Sequence, residues 1–193
     1  RGEKYYHFTD ILGSGSFPLV FERTYRVNVF KYQDRKWSRN QWYWPLLDMH
    51  ATYIYINSST SKMKISLDDG FGSLNFTYSG GSWVSDDTGF GVYNTLTNKS
   101  GGGWILVRGN GTTYEFNSGG YVTKVTRTDG LSHTVSYTFA STDYINPATA
   151  TITDSASGKQ LVVAFTKSGL PETVTDSDSR VTQYKWDELG RLL

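Results

Sequence analysis

The feature that most constrains this chain is its punctuation. Gly with Asn, Asp, Ser or Thr clusters about every eight to twelve residues, and between the clusters apolar and polar residues alternate. No stretch sustains the three-and-four spacing that an amphipathic helix of useful length requires. The pattern predicts an all-β protein of short strands joined by tight turns. Asp69-Gly70, Asn110-Gly111 and Asp129-Gly130 are dipeptides favoured in such turns, because they accept a positive φ at little cost.

Alternation also assigns faces. In Thr134–Phe139, Val135, Tyr137 and Phe139 share one face, and Thr134, Ser136 and Thr138 the other. In Leu161–Thr166 the apolar set is Leu161, Val163 and Phe165. In Arg180–Trp186, Thr182, Tyr184 and Trp186 lie opposite Gln183 and Lys185. Period two with one polar face predicts a sheet packed on one side. Thr52–Ile56 and Trp104–Val107 alternate less and are expected to be more deeply buried.

Composition bears on what such a sheet can do. Only 37% of the 193 residues are hydrophobic, but 16% are aromatic, enough large rings for a core. A net charge of +1 argues against nucleic acid as a partner. The chain has no Cys, which removes disulfide scaffolds, thiol nucleophiles and zinc ribbons. No apolar run approaches the roughly 18 residues of a membrane span. The chain starts at Arg1 without a visible signal peptide, and is expected to be a piece of a longer protein.

Self-comparison finds a repeat. Tyr137, Phe165 and Trp186 each stand seven residues after a turn residue, Gly130, Gly158 and Ser179, with Val125, Ile152 and Val174 ahead of the turns. Each unit reads as strand, polar turn and strand ending in an aromatic ring. Hairpins repeated in this way are expected to stack and cover one another, since one hairpin alone is not stable. Residues 1–103 lack the period and hold the aromatic cluster Trp37, Trp42, Tyr43 and Trp44, whereas 104–193 carry the hairpin repeats. A boundary is expected near Gly101-Gly102-Gly103.

Two segments carry a family resemblance. Trp186-Asp187-Glu188-Leu189-Gly190-Arg191-Leu192 resembles the aromatic-Asp-x-x-Gly-Arg-Leu signature of YD repeats in the RHS-repeat family, with Trp186 in the place of the usual Tyr. Val174-Thr175-Asp176 through Ser179-Arg180 resembles the preceding half of that repeat. Phe17-Pro18-Leu19-Val20-Phe21-Glu22-Arg23-Thr24-Tyr25 is similar to the Leu-Pro-Leu…Arg-x-Tyr segment that begins the RHS region of bacterial polymorphic toxins and wall-associated proteins. The resemblance implies a spiral or curved sheet of antiparallel hairpins, an open fragment of a larger β-shell that encloses or presents a C-terminal toxin. It implies a secreted or cell-surface location. Within it, Tyr137, Phe165, Trp186, Asp187, Gly190 and Arg191 are structural signature residues.

Catalytic patterns are incomplete. Ile11-Leu12-Gly13-Ser14-Gly15-Ser16-Phe17-Pro18 imitates a kinase glycine-rich loop, and Val27–Lys31 its lysine strand, but the catalytic-loop and metal-binding Asp motifs are missing. There is no Gly-x-Ser-x-Gly elbow and no His-Glu-x-x-His motif. Asp48 and His50 would share a strand face and read as a polar pair. Asp68-Asp69, Asp86-Asp87 and Asp176-x-Asp178 read as turn-forming acids rather than calcium ligands. The expectation is a non-enzymatic protein with no cofactor or metal. The Trp37, Trp42, Tyr43 and Trp44 cluster has two readings: core packing, or exposed rings that stack on a sugar. The second makes the chain a carbohydrate-binding module for cell-surface glycans. The expected partners are the remainder of a parent RHS protein or a second copy through strand pairing, with Arg180–Trp186 as the open edge.

Overall fold

The computed structural model describes residues 5–26, 42–67, 72–87, 93–140, 143–189 and 191–193. Every element among them is a strand. In chain order these are β1 (Tyr5–Leu12), β2 (Val20–Arg26), β3 (Trp42–Tyr43), β4 (Ala51–Asn57), β5 (Thr60–Ser66), β6 (Ser73–Ser79), β7 (Ser82–Ser85), β8 (Thr95–Asn98), β9 (Trp104–Val107), β10 (Thr113–Phe116), β11 (Val122–Thr126), β12 (Ser132–Ala140), β13 (Asp143–Asp154), β14 (Gln160–Phe165), β15 (Pro171–Asp176) and β16 (Val181–Gln183). The protein is all-β, and its strand pairs are antiparallel. It forms two compact units, one of Arg1–Trp44 with His133–Leu193 and one of Pro45–Ser132.

The first unit holds a small sheet in the order β1-β2-β3 and a meander in the order β12-β13-β14-β15-β16. In the meander, register converts alternation into continuous rows. Tyr137 lies opposite Ala150, which faces Val163, which faces Val174; Val135 lies opposite Ile152, which faces Leu161. All of these except Tyr137 are buried. The other face is a ladder of Thr134 with Thr153, Ser136 with Thr151 and Thr138 with Thr149. Burying a Val, Leu or Ile side chain is worth about 1.5–3 kcal/mol, so the apolar rows fix the register against a one-residue slip. Phe165 pairs with Pro171, and the Trp186 indole N–H donates to the Pro171 carbonyl at 2.6 Å, which brings the second and third signature rings to one neighbourhood.

The second unit holds the order β4-β5-β6-β7 and the order β11-β10-β9-β8. Met49, Met63, Ile65, Phe76, Leu106, Phe116 and Val122 are its most deeply buried apolar side chains. Here the expectation for Thr52–Ile56 is overturned. These residues are exposed, Tyr55 at 65%, because β4 is the last strand of its sheet and among the described strands pairs only with β5. Trp104–Val107 lies between β8 and β10, where Leu106 is fully buried and the other three residues are half-buried. The glycines at 101–103 fall inside this unit, in the turn between β8 and β9, where all three take positive φ. They bend the chain within a continuous meander rather than separating two regions.

The turns carry the true repeat. In those that begin at Lys99, Arg108, Asn117, Arg127, Thr166 and Asp176, the first residue's N–H donates to the fifth residue's carbonyl. The fourth residue's N–H donates back to the first residue's carbonyl. This is a type I turn closed by a left-handed residue, and it recurs at intervals of about ten residues within each meander. The aromatic signature residues Tyr137, Phe165 and Trp186 stand 28 and 21 residues apart, and these longer units are therefore composites of the shorter step. Asn110-Gly111 and Asp129-Gly130 stand in two of these turns as expected; Asp68-Asp69-Gly70 lies outside the described residues. Gly fills the left-handed position except at Ser179, which takes φ 63°.

The expected open edge is only partly open. β16 is the last strand of its sheet, but Trp186 bridges to Leu192 and the Leu193 N–H donates to the Lys185 carbonyl. The chain's last residues thus cover the continuation of β16 and leave Val181 exposed at 55%.

Left-handed backbone costs an L-residue about 1 kcal/mol relative to Gly. Ser179→Gly is expected to raise the unfolding free energy by about that amount in urea titration. Gly120→Ala should do the reverse and by more, since an added Cβ would overlap the Ala51 carbonyl and the His50 ring.

Candidate functional site

The most developed polar grouping lies in the first unit, where β1 bulges. Thr9 pairs with Glu22 and Ile11 with Phe21, so Asp10 is the extra residue. A bulge re-aims the side chain of its extra residue. Here Asp10 Oδ2 accepts from Arg23 Nε at 2.7 Å and from the Tyr184 hydroxyl at 2.7 Å. The Arg23 guanidinium carbon sits 4.8 Å from the Phe8 ring centroid, 4.6 Å from that of Trp42 and 5.9 Å from that of Tyr184. A planar cation over aromatic faces gains a quadrupole attraction that grows with desolvation. The carboxylate and the guanidinium keep only 13% and 16% of their side-chain surface. Burial, with the hydrogen bond and charge of Asp10 beside it, pushes the Tyr184 hydroxyl well above the usual tyrosine range. It therefore stays protonated and remains a donor.

This grouping decides how the proposed sugar-binding rings are used. Trp42 is half-buried, tilted 4.9 Å from Tyr25 and 5.8 Å from Phe8, with Arg23 on its face. Tyr43 and Trp44 are exposed at only 1% and 2%. Trp44 meets Trp186 edge to face at 5.8 Å. A sugar stacks only on an uncovered ring face, and these three rings are already engaged by protein. Trp37 lies outside the described residues, as does Lys31 of the kinase-like segment.

The signature turn is built by its acid. Asp187 Oδ1 accepts from the N–H groups of Leu189 and Arg191, and its Oδ2 accepts from Arg191 Nε at 2.6 Å. The turn before it repeats the arrangement: Asp176 Oδ1 accepts from Asp178 and Arg180, and Oδ2 from Arg180 Nε at 2.7 Å. The Asp thus closes the turn through its side chain, and the Arg four residues on clamps it with a charge-assisted bond from its Nε. The Arg191 N–H bond, helped by the Arg191 side chain and outweighing desolvation, holds the Asp187 carboxyl below its usual range. At Asp176 desolvation pulls upward, but the Arg180 and Asp178 bonds together prevail. Gly190 lies outside the described residues.

The histidines are structural in their contacts. His133 stacks on Phe17 at 3.8 Å and 9°, and its Nε2–H donates to the Phe17 carbonyl at 3.0 Å. The His50 Nε2–H donates to the Gly119 carbonyl at 3.0 Å, and the ring stands edge-on to Tyr121. Asp48 is buried in the turn ahead of β4 rather than on a strand, so the expected Asp48–His50 face does not form. Sequence reading missed Asp10 altogether. A single acid in an alternating strand carries no signal of a bulge, whereas Arg23 was visible through its Arg-x-Tyr context.

No family model matches the chain, and no curated protein matches it in sequence.

Removing one partner of a desolvated ion pair costs about 3–5 kcal/mol, because the other charge is left uncompensated. Arg23→Leu should lower stability by about 3 kcal/mol in denaturant unfolding, and Arg23→Lys should restore little of it, lacking the flat stacked fork. His133 supplies a pH dependence. Burial, partly offset by the Phe17 bond and the Asp154 charge, lowers its pKa from the usual 6.5. The unfolded imidazole then takes a proton before the folded one, so this stability is full above about 6.5 and declines as the pH falls below it. His133→Gln should flatten that decline in thermal melts across this range.

Proposed function

We propose that this chain is a structural segment of an RHS-repeat protein, a stretch of β-wall that encloses or presents a C-terminal toxin in a secreted or bacterial cell-surface protein. The observation that carries the reading is the doubled Asp-to-Arg clasp. Asp176–Arg180 and Asp187–Arg191 make the same three side-chain hydrogen bonds, one strand apart, in the two segments that resemble the YD repeat. A turn closed by its own side chains can be stacked many times without help from neighbouring elements, which is what a long repeating wall requires. The burial of Tyr43 and Trp44 supports the wall over the glycan-binding module, since those rings serve packing. The chemistry of the Asp10, Arg23 and Tyr184 grouping supports it as well. A carboxylate oxygen that holds a guanidinium and a hydroxyl at once serves as a clamp.

The reading frame beyond Leu193 tests the proposal. Further aromatic-Asp-x-x-Gly-Arg turns should follow at intervals of about ten to twelve residues or multiples of them, ahead of an unrelated C-terminal segment. A frame that continues into a different fold type would overturn it. On a glycan array the chain should show no binding; specific binding lost on Trp42→Ala would favour the carbohydrate module.

A further inference from the structure

We propose that β4 is a self-pairing edge through which two copies of this chain form a two-fold dimer. Edge strands offer unpaired backbone groups, and proteins usually blunt them with charge, proline, bulges or short length. The described edges of this protein mostly carry such devices. β1 is bulged at Asp10, β7 spans four residues, and β16 spans three between Arg180 and Lys185. β4 carries none. From Thr52 to Ile56 it is Thr-Tyr-Ile-Tyr-Ile, with no charge, glycine or proline. The Ala51 N–H is taken by the Gly120 carbonyl, but past that point no described strand pairs with the outer side of β4. Tyr53, Ile54, Tyr55 and Ile56 are exposed at 48%, 45%, 65% and 48%.

The pattern selects the occupant. Set antiparallel to itself about Ile54, the strand places Ile54 opposite Ile54, Tyr53 opposite Tyr55 and Thr52 opposite Ile56. Tyr53 and Tyr55 then meet on one face and Ile54 meets its copy on the other, within the regular part of the strand, and the two sheets join with their buried faces on the same side. A one-residue slip would pair Tyr with Ile and turn one copy's sheet over. Aromatic and β-branched cross-strand pairs are the stabilising ones, and the contact closes on itself as an isologous interface. A neutral edge suits a second copy, because any charge on it would be repeated by the partner. The nearest cation on the neighbouring strand, Lys62, is already held by Asp86 at 3.5 Å. The strand is also ordered beforehand. Tyr53 stacks on Trp104 at 6.2 Å, meets Trp83 edge-on at 6.3 Å, and its hydroxyl bonds Ser61 Oγ at 2.7 Å. The Tyr53 ring therefore has little freedom left to lose on pairing.

The test uses the whole chain, whose lack of Cys makes a single introduced thiol diagnostic. Sedimentation equilibrium should show a concentration-dependent dimer. Under mild oxidation Ile54→Cys should cross-link into a covalent dimer, because the register sets residue 54 against itself, whereas Val181→Cys on the edge of β16 should stay monomeric. Ile54→Lys should weaken the dimer at least about tenfold with an unchanged circular dichroism spectrum. A monomer at every concentration would overturn the proposal, as would cross-linking through Val181→Cys but not Ile54→Cys. Should Ile54→Lys not fold, the two cysteine variants decide. None of these outcomes bears on the wall reading.

Discussion

One carboxylate oxygen joins parts of the first unit that are far apart in sequence. Asp10 Oδ2 receives Arg23 from the neighbouring strand and Tyr184 from 174 residues away. The bond to Tyr184 cannot form until nearly all of the chain is in place, and the loop it closes is among the longest the chain allows. Around it the aromatic residues have one arrangement to satisfy. Phe8, Trp42 and Tyr184 offer their faces to the guanidinium, Tyr25 packs on Trp42, and Phe21 leans on Tyr184 at 6.1 Å. The charge pair is not a large source of stability, because desolvation opposes it. Its effect is on uniqueness, since any other packing of these rings would strand a charge.

Fold class was legible because two independent signals agreed. Turn chemistry fixed where the chain reverses, and period-two alternation fixed which face is buried, and the rows through Val135, Tyr137, Leu161 and Val163 follow from both. The repeat length was legible but misjudged. Gly102, Gly111, Gly120 and Gly130 stand nine or ten residues apart, which marks single turns. Matching aromatic residues instead selected pairs of strands, since only alternate strands end in a large ring. The burial of Thr52–Ile56 was misjudged because a short apolar run looks alike in a central strand and an edge strand, and neighbours decide which it is.

The polar grouping was beyond reach of local pattern. Asp10 and Arg23 occupy unremarkable positions in alternating strands, Tyr184 follows directly on β16, and a bulge sets their meeting. The clasp turns were half visible. Their Asp and Arg recur four residues apart in sequence, but the equivalence of the two turns becomes evident only when both oxygens of each acid are traced to their donors.

The turns have a consequence for how such a chain can lengthen. Each closes on its own backbone and sets its own direction reversal, so a meander can gain or lose material without rewiring what remains. The unit of that change is two strands, not one. Inserting a single strand would reverse the direction of everything downstream and send it to the opposite margin of the sheet. Inserting a pair restores both. Growth by duplication in this architecture is therefore even-numbered, and a lineage of such chains would differ in size by steps of about twenty residues.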